Sequence, residues 1–277
     1  MKLPSRAPWV GALLPFALLS GGCELMIAGP RAQASDRWEK TYPVTAGARL
    51  EIENTNGAIQ VSTHDAPSFE VVAHRTARAM NEQAARELLE RTRLEQSATA
   101  DLVRLVTPRS QGFPKGQQVD VRYEVRVPAS AAVTLTTVNG RVEVAGVSGP
   151  VALETVNGGI EARAIRTLTK AETVNGSVSL DLEGLPAPGT QIETVNGSVT
   201  VSLPSSASAD VSVRTVNGGI TVDGFAQVQD GERRRRHYDG KLNGGGAALR
   251  VETVNGGVTL TGTGGAATAT AAGAGTR

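Results

Sequence analysis

The chain has 277 residues, a formal net charge of +1 and an aromatic content of 3%. The near balance of charge points to no particular partner, and the shortage of aromatic residues argues against a groove that stacks sugar rings on Trp and Tyr. Cys23 is the only cysteine, so the chain has no internal disulfide. Its stability must come from strand pairing and a buried core.

Residues 1–34 have the layout of an export signal followed by a processing region. Two basic residues precede an apolar run over residues 9–19, which is too short to span a bilayer. Cys23 and the four residues before it resemble a bacterial lipoprotein signal, although Ser20 stands where an aliphatic residue is usual. Lipidation of Cys23 would anchor an exported protein in the membrane, as a periplasmic or outer-membrane-associated lipoprotein. The alternative is ordinary cleavage after Ala34, which would give a secreted protein.

Residues 35–262 are predicted to form one β-rich domain. Its first part, residues 41–128, alternates apolar and polar residues without a fixed period, and we interpret it as irregular first coils. A helix is predicted from Glu82 to about Arg93, because Asn81 is a good N-cap and an apolar stripe follows it. This short helical insertion near the N-terminus is expected to cover one end of the repeats.

Residues 129–224 form regular repeats of the tetrapeptide Thr-Val-Asn-Gly. With one further copy downstream, the tetrapeptide occurs at 137–140, 155–158, 173–176, 194–197, 215–218 and 253–256. A period of about 20 residues is typical of stacked repeats. An alternating run enters each Asn-Gly and another leaves it, and Asn-Gly is expected to supply a left-handed backbone conformation at a corner. Each copy is therefore predicted to be a strand, a corner and a strand.

Two all-β architectures fit this pattern. Consecutive hairpins would give an antiparallel meander, since Asn-Gly is also a strong hairpin signal. A β-solenoid would instead stack the same position of every repeat in register. The recurrence of identical residue types at one position favours the solenoid, with the meander as the alternative.

Residues 225–246 interrupt the repeats before a last coil at residues 247–262. We expect a protruding loop or irregular hairpin there. It carries four consecutive arginines, Arg233, Arg234, Arg235 and Arg236. Guanidinium groups bind phosphate and carboxylate bidentately, so these four are candidates for contact with an anionic ligand, and a solvated loop tip is the alternative. The Gly-, Ala- and Thr-rich tail, residues 263–277, is predicted to be disordered.

A column of charge precedes the tetrapeptide. Its members are Glu154, Glu172, Glu193, Arg214 and Glu252. In-register stacking would place like charges opposite each other, which is unfavourable. One interpretation is a cation-binding strip. The other is that the carboxylates extend into water, where salt screens their repulsion, with Arg214 paired to Glu193.

No constellation of residues predicts catalysis. His64, His74 and His237 lie in unrelated segments without metal-ligand spacing, and neither a nucleophile elbow nor a phosphate-cradling glycine loop is present in the sequence. The sequence therefore predicts no catalytic residue, no metal and no cofactor.

The tetrapeptide corners, the export signal and the closing segment 240–256 resemble a bacterial β-strand-repeat family whose members are called adhesins although their function is unknown. The likeness covers roughly residues 44–260. It implies a single-stranded, right-handed β-helix in the cell envelope, without established catalytic residues.

We therefore expect a non-catalytic, exported cell-envelope protein, an adhesin-like or surface-binding scaffold rather than an enzyme. Its partner would be an envelope polymer, an anionic lipid or a protein, and not nucleic acid, because the protein is exported. The alternative is a polysaccharide lyase or hydrolase built on a β-helix, with acid and base residues drawn from the glutamate column.

Overall fold

The computed structural model describes residues 32–107 and 116–264. The described chain is nearly all β-strand with one α-helix, which confirms the predicted all-β class. No helix in the described part is long and apolar enough to cross a membrane. Cys23 and residues 265–277 lie outside the described ranges, so lipidation and the character of the tail stay predictions.

The N-terminal part comprises β1 (Ala32–Pro43), β2 (Arg49–Glu53), β3 (Ile59–His64), β4 (Ser68–Ala79), α1 (Glu82–Arg91), β5 (Glu95–Ala98), β6 (Leu102–Val106) and β7 (Gln118–Pro128). The repeats comprise β8 (Ala132–Asn139), β9 (Val142–Ala145), β10 (Pro150–Asn157), β11 (Ile160–Ile165), β12 (Thr167–Asn175), β13 (Val178–Leu182), β14 (Thr190–Asn196), β15 (Val199–Pro204), β16 (Ala209–Asn217) and β17 (Ile220–Asp223). The C-terminal part comprises β18 (Val228–Arg234), β19 (His237–Leu242), β20 (Ala247–Asn255) and β21 (Val258–Thr263).

Two sheets hold these strands. The first has the order β1-β4-β7-β3-β9-β11-β13-β15-β21-β17, and the second has the order β18-β19-β16-β20-β14-β12-β10-β8-β2-β6-β5. Each repeat places one strand in the second sheet and the next in the first, and strands of successive repeats pair in parallel with Asn157 beside both Asn139 and Asn175. The repeats therefore stack in register, and the antiparallel meander does not describe them.

Antiparallel pairing is found among the described strands only at the two ends of the stack. At the N-terminal end β4 pairs antiparallel with β1 and β7, and β5 does so with β6. At the other end β19 lies antiparallel between β16 and β18. The segment expected to be a loop or irregular hairpin is thus a hairpin, whose register shifts between Asp230 and Arg233.

The order of the coils in space differs from their order in the chain. The last coil, β20 and β21, lies between β14–β15 and β16–β17 in both sheets. In the same way β2 and β3 lie between β6–β7 and β8–β9. The final copy of the tetrapeptide in the chain therefore belongs to an inner coil of the stack.

The core fills the space between the sheets. The column before the corner is fully buried at Leu135, Leu153, Ala171, Ile192, Val213 and Val251. After the corner Val142, Ile160, Val178, Val199 and Val258 are buried too. Ile220 in the same column is only half-buried, because β17 is an edge strand of the first sheet.

The corners are stabilised by side chains that bond from coil to coil. In all six Thr-Val-Asn-Gly corners the amide nitrogen of the asparagine donates to the amide oxygen of the asparagine in a neighbouring coil at 2.8–2.9 Å. The series begins with Asn217 as a donor and ends with Asn56 as an acceptor. The threonine hydroxyl donates to a glycine carbonyl of the adjacent coil, as Thr173 does to Gly158 at 2.9 Å. Side-chain hydrogen bonds of the asparagines and threonines therefore connect neighbouring coils.

The glycines of the six Thr-Val-Asn-Gly corners are required for a reason the sequence did not indicate. None of them has positive φ. A Cβ on Gly176 would instead lie 1.9 Å from the carbonyl oxygen of Gly158, and Gly158 meets Gly140 in the same way. Close approach of backbone to backbone, rather than a left-handed conformation, excludes a side chain there.

Helix α1 follows the prediction closely. The Asn81 side chain accepts a hydrogen bond from the Ala84 amide at 2.8 Å, which satisfies one of the free N–H groups of the first turn. Ala85, Leu88 and Leu89 are buried, and the helix packs against β1 and β4. It therefore covers part of the N-terminal end of the stack.

Candidate ligand-binding groove

A row of exposed valines crosses the outer face of the second sheet. In spatial order it consists of Val156, Val174, Val195, Val254 and Val216, and we call it the valine row. These five side chains are 38–51% exposed and make up most of the large exposed apolar residues in the described chain. Because the threonine of each tetrapeptide points inward, the valine after it must point outward. Parallel strands bring successive valines to about 4.8 Å from each other.

A row of carboxylates runs beside the valines. Two residues before each valine on the same face lie, in spatial order, Glu154, Glu172, Glu193, Glu252 and then Arg214. We call the first four the glutamate row. The sequence expectation that Arg214 pairs with Glu193 is wrong, because the inserted last coil places Glu252 between them.

The glutamate row has a cation of its own at one end. The Lys170 ammonium lies 2.7 Å from Glu154 and 2.9 Å from Glu172. Hydrogen bonds to these two carboxylates, that to Glu154 foremost, raise the pKa of Lys170 above its ordinary value. Further along, the Gln191 amide donates to Glu193 at 2.6 Å. Three of the four carboxylates are therefore bound by neighbouring side chains.

The hairpin of β18 and β19 places positive charge at the other end. His237 lies beside Arg214 on one side and Arg234 on the other, and the Arg236 carbonyl accepts a hydrogen bond from the Thr215 amide at 3.0 Å. Arg234 pairs with Glu232 at 2.5 Å. Among the described residues, no carboxylate lies within ion-pair distance of Arg214 or Arg236.

Together these features line a groove of about 980 Å³. Its floor is the valine row and its flank is the glutamate row. Its end is formed by Arg214, Glu232, Arg234, Arg236 and His237. The described lining consists of threonine, valine, glutamate, arginine and histidine. The groove thus offers apolar surface along its length and cations at one end, with no aromatic stacking surface in the described lining.

The structure separates the predicted site residues. Arg234 and Arg236 line the groove, whereas Arg235 lies in the exposed hairpin turn and is not part of the lining. The side chain of Arg233, like Cys23, lies outside what the structure describes. Sequence reasoning missed the valine row, although its signal was present: a valine recurs in every copy, one position after a threonine that turns inward.

Glu232, His237 and Asp239 also meet at the hairpin, with potential ligand atoms within 4.8 Å of one another. The imidazole Nε2 of His237 lies 2.7 Å from the Asp239 carboxylate. Hydrogen bonds, first from Ser212 and then from His237, hold the pKa of Asp239 below its ordinary value. Since Arg234 already neutralises Glu232, we interpret the cluster as a network that fixes the hairpin over the groove.

The fold and the groove define a class of protein: stacked β-repeats whose outer face carries a ligand-sized groove. The family described as Toastrack DUF4097 matches residues 115–261, more than half of the sequence, and the chain belongs to that family. The expected resemblance to a β-strand-repeat family of unknown function is thereby confirmed.

Several solved structures are similar to this chain at low sequence identity. The "putative cell adhesion protein" of Clostridium sporogenes is 13% identical, with 82% of this chain and 100% of that chain covered and a TM-score of 0.48. The "putative adhesin" of Bacteroides fragilis is 11% identical over 82% and 97%, with a TM-score of 0.43. The "putative lipid binding protein" of Parabacteroides distasonis is 10% identical over 81% and 96%, with a TM-score of 0.27. A search of curated proteins found no match. At these values no argument about function rests on the likeness.

Proposed function

We propose that this protein is a non-catalytic, exported scaffold of the cell envelope that binds an envelope component in the groove above the valine row. The observation that carries the proposal is the concentration of exposed apolar side chains in one row. Soluble proteins seldom expose such a contiguous strip without a partner to cover it. The cations at its end add orientation to the apolar contact.

Export and anchoring are part of the proposal. Strand β1 begins at Ala32 and pairs with β4 from that residue onward. Cleavage after Ala34 would remove three residues of a paired strand, whereas modification of Cys23 would leave β1 whole. This supports modification of Cys23 over cleavage after Ala34. Metabolic labelling with a palmitate analogue, which should be lost in Cys23→Ser, tests it.

The winding of the stack is also proposed. We infer a right-handed, single-stranded solenoid, because connections between parallel strands of one sheet are right-handed in about 98% of cases. The strand order supports a coil in which each repeat visits both sheets.

Binding of the purified full chain to envelope fractions tests the groove. We expect retention to fall in the triple variant Val174→Ser, Val195→Ser and Val254→Ser, and to stay unchanged in Val228→Ser, an equally exposed valine outside the groove. Replacing Arg234 and Arg236 by serine should make the remaining binding insensitive to salt, because screening acts on exposed charges. Unchanged retention in the triple variant would overturn the groove as the binding surface.

The alternative, a polysaccharide lyase or hydrolase, requires two carboxylates on opposite sides of a sugar bond. The glutamate row instead follows one flank of the groove, and Lys170 holds two of its members. We therefore expect no release of reducing or unsaturated ends from envelope polysaccharide. Release that is lost in Glu193→Gln or Glu252→Gln would establish the enzyme.

A further inference from the structure

We propose that the ligand of this groove is a single-chain anionic amphiphile, whose acyl chain lies along the valine row and whose carboxylate or phosphate head is bound by Arg214 and Arg236. This inference rests on the proposed function, since it names the ligand of the same groove. It follows from three properties of the surface: its length, the chemistry of its floor and the direction of its charge.

The length of the valine row matches one acyl chain. Five valines on neighbouring parallel strands span about 19 Å at a spacing of about 4.8 Å. A single acyl chain covers about 15 Å, half of the 30 Å hydrocarbon thickness of a bilayer. A chain on the row therefore reaches from Val216, beside the arginines, almost to Val156 at the far end.

The floor favours an acyl chain over a peptide. The strands that carry the valine row are hydrogen-bonded to neighbours on both sides, so their backbone has no groups left for an added strand. An extended peptide in the groove would leave its own N–H and C=O groups to water, and its side chains on one face repeat every 6.6 Å or so rather than every 4.8 Å. A hydrocarbon chain has no polar groups to satisfy along its length.

The charges fix the direction. At the far end an anionic head would meet Glu154 and Glu172, whose repulsion Lys170 only partly offsets. At the hairpin end no carboxylate of the described residues lies within ion-pair distance of Arg214 or Arg236, although Arg214 interacts electrostatically with Asp239 at longer range. Guanidinium groups bind carboxylate and phosphate bidentately. The head therefore belongs at the hairpin, with the chain running away from it.

The test is a displacement titration on the full chain with the fluorescent fatty acid cis-parinaric acid as the probe. We expect saturable binding that palmitate and a lysophosphatidate both displace, because the two share the anionic head and the single chain. Octanoate and hexadecanol should displace it at least about tenfold less well, since one lacks chain length and the other lacks charge. Vesicles of phosphatidylglycerol should bind no more protein than vesicles of phosphatidylcholine. Preferential binding to the anionic vesicles would instead indicate a bilayer-docking surface and overturn the proposal.

Two variants locate the ligand. The pair Arg214→Gln and Arg236→Gln should weaken palmitate about tenfold or more while leaving hexadecanol unchanged, and the pair Val195→Ser and Val254→Ser should weaken both. The controls are Arg91→Gln on the surface of α1 and Val228→Ser, each checked for an unchanged thermal midpoint. Equal loss in control and groove variants would overturn the site.

The failure of this inference is distinguishable from failure of the proposed function. If the valine variants lose retention on envelope fractions but the wild type does not bind parinarate, the groove stands and the ligand class is wrong. An amphipathic helical peptide would then be the next occupant to test. If retention survives the valine variants, the groove itself is not the binding surface.

Discussion

Within each Thr-Val-Asn-Gly corner, the threonine, the asparagine and the glycine connect neighbouring coils, and the valine does not. Thr155 donates to the Gly140 carbonyl at 3.0 Å, Asn157 donates to Asn139, and Gly158 permits the backbones to touch. Val156 makes none of these contacts and is 38% exposed. The contacts between coils explain the threonine, the asparagine and the glycine, whereas the exposure of the valine is what the proposed ligand would account for.

The corner glycines make a sharp prediction. In Gly176→Ala the new methyl group would lie 1.9 Å from the Gly158 oxygen, so neighbouring coils must separate, and we expect a loss of more than about 2 kcal/mol of unfolding free energy. Gly219→Ala is the control, because its site is open and its φ is not positive. There we expect no loss, or a gain of up to about 1 kcal/mol from a stiffer unfolded chain. Equal urea midpoints for the two variants would contradict the close-approach argument.

Tyr123 predicts how stability changes in alkali. Its hydroxyl lies 2.9 Å from Thr107 Oγ1, and burial raises its pKa from 10.0 to about 12. Between these two pKa values the folded state keeps a proton that the unfolded state loses. The contribution of the Tyr123 hydroxyl to the unfolding free energy is therefore fully present below pH 10 and is lost as the pH rises to 12. We expect a decline of roughly 2–3 kcal/mol over that window. The unfolding free energies of the wild type and Tyr123→Phe should converge between pH 9 and pH 12, because only the wild type has this hydroxyl. Parallel curves would rule out the raised pKa of Tyr123 as the cause of the decline.

At the scale of elements, periodicity in the sequence predicted what each element is. The cap at Asn81 and the apolar stripe after it located α1, and the columns at Leu153 and Ile160 identified the buried faces. A pattern of period two states which side chains point inward. The same pattern predicts that the valines point outward, but only if the threonine between Glu154 and Val156 is known to point into the core.

Pattern could not predict which element lies beside which. Arg214 neighbours Glu252 rather than Glu193 only because a distant segment enters between their strands, and no local propensity records such an insertion. The cationic end of the groove is equally non-local, since the β18–β19 hairpin brings Arg236 to Thr215. The valine row and the glutamate row, which are half of the candidate site, can therefore be predicted from the sequence. The other half depends on strand order.

For the molecule as a whole, the inserted coils give both ends of the stack the same plan. At the N-terminal end β6 and β7 lie outside β2 and β3, and at the other end β16 and β17 lie outside β20 and β21. At both ends antiparallel strands pair with the outer coil, as β4 does with β7 and β19 does with β16. An inner coil has neighbours on both sides, so its side chains are buried as deeply as those mid-stack. Leu260 in β21 is fully buried, whereas Val222 in β17, the edge strand of the first sheet, is only partly buried.

This arrangement predicts where truncating a side chain is costly. Leu260→Ala should lose about 2–5 kcal/mol of unfolding free energy, as much as Leu180→Ala in the middle of the repeats, because both leave a cavity in a packed layer. Val222→Ala should lose distinctly less, since solvent already reaches that side chain. If chain order set position in the stack, the ranking would reverse, with Leu260 frayed and Val222 protected. Urea unfolding of the three variants separates the two cases, and protection of the β21 amides from hydrogen exchange at the level of β13 would show independently that the last repeat is held from both sides.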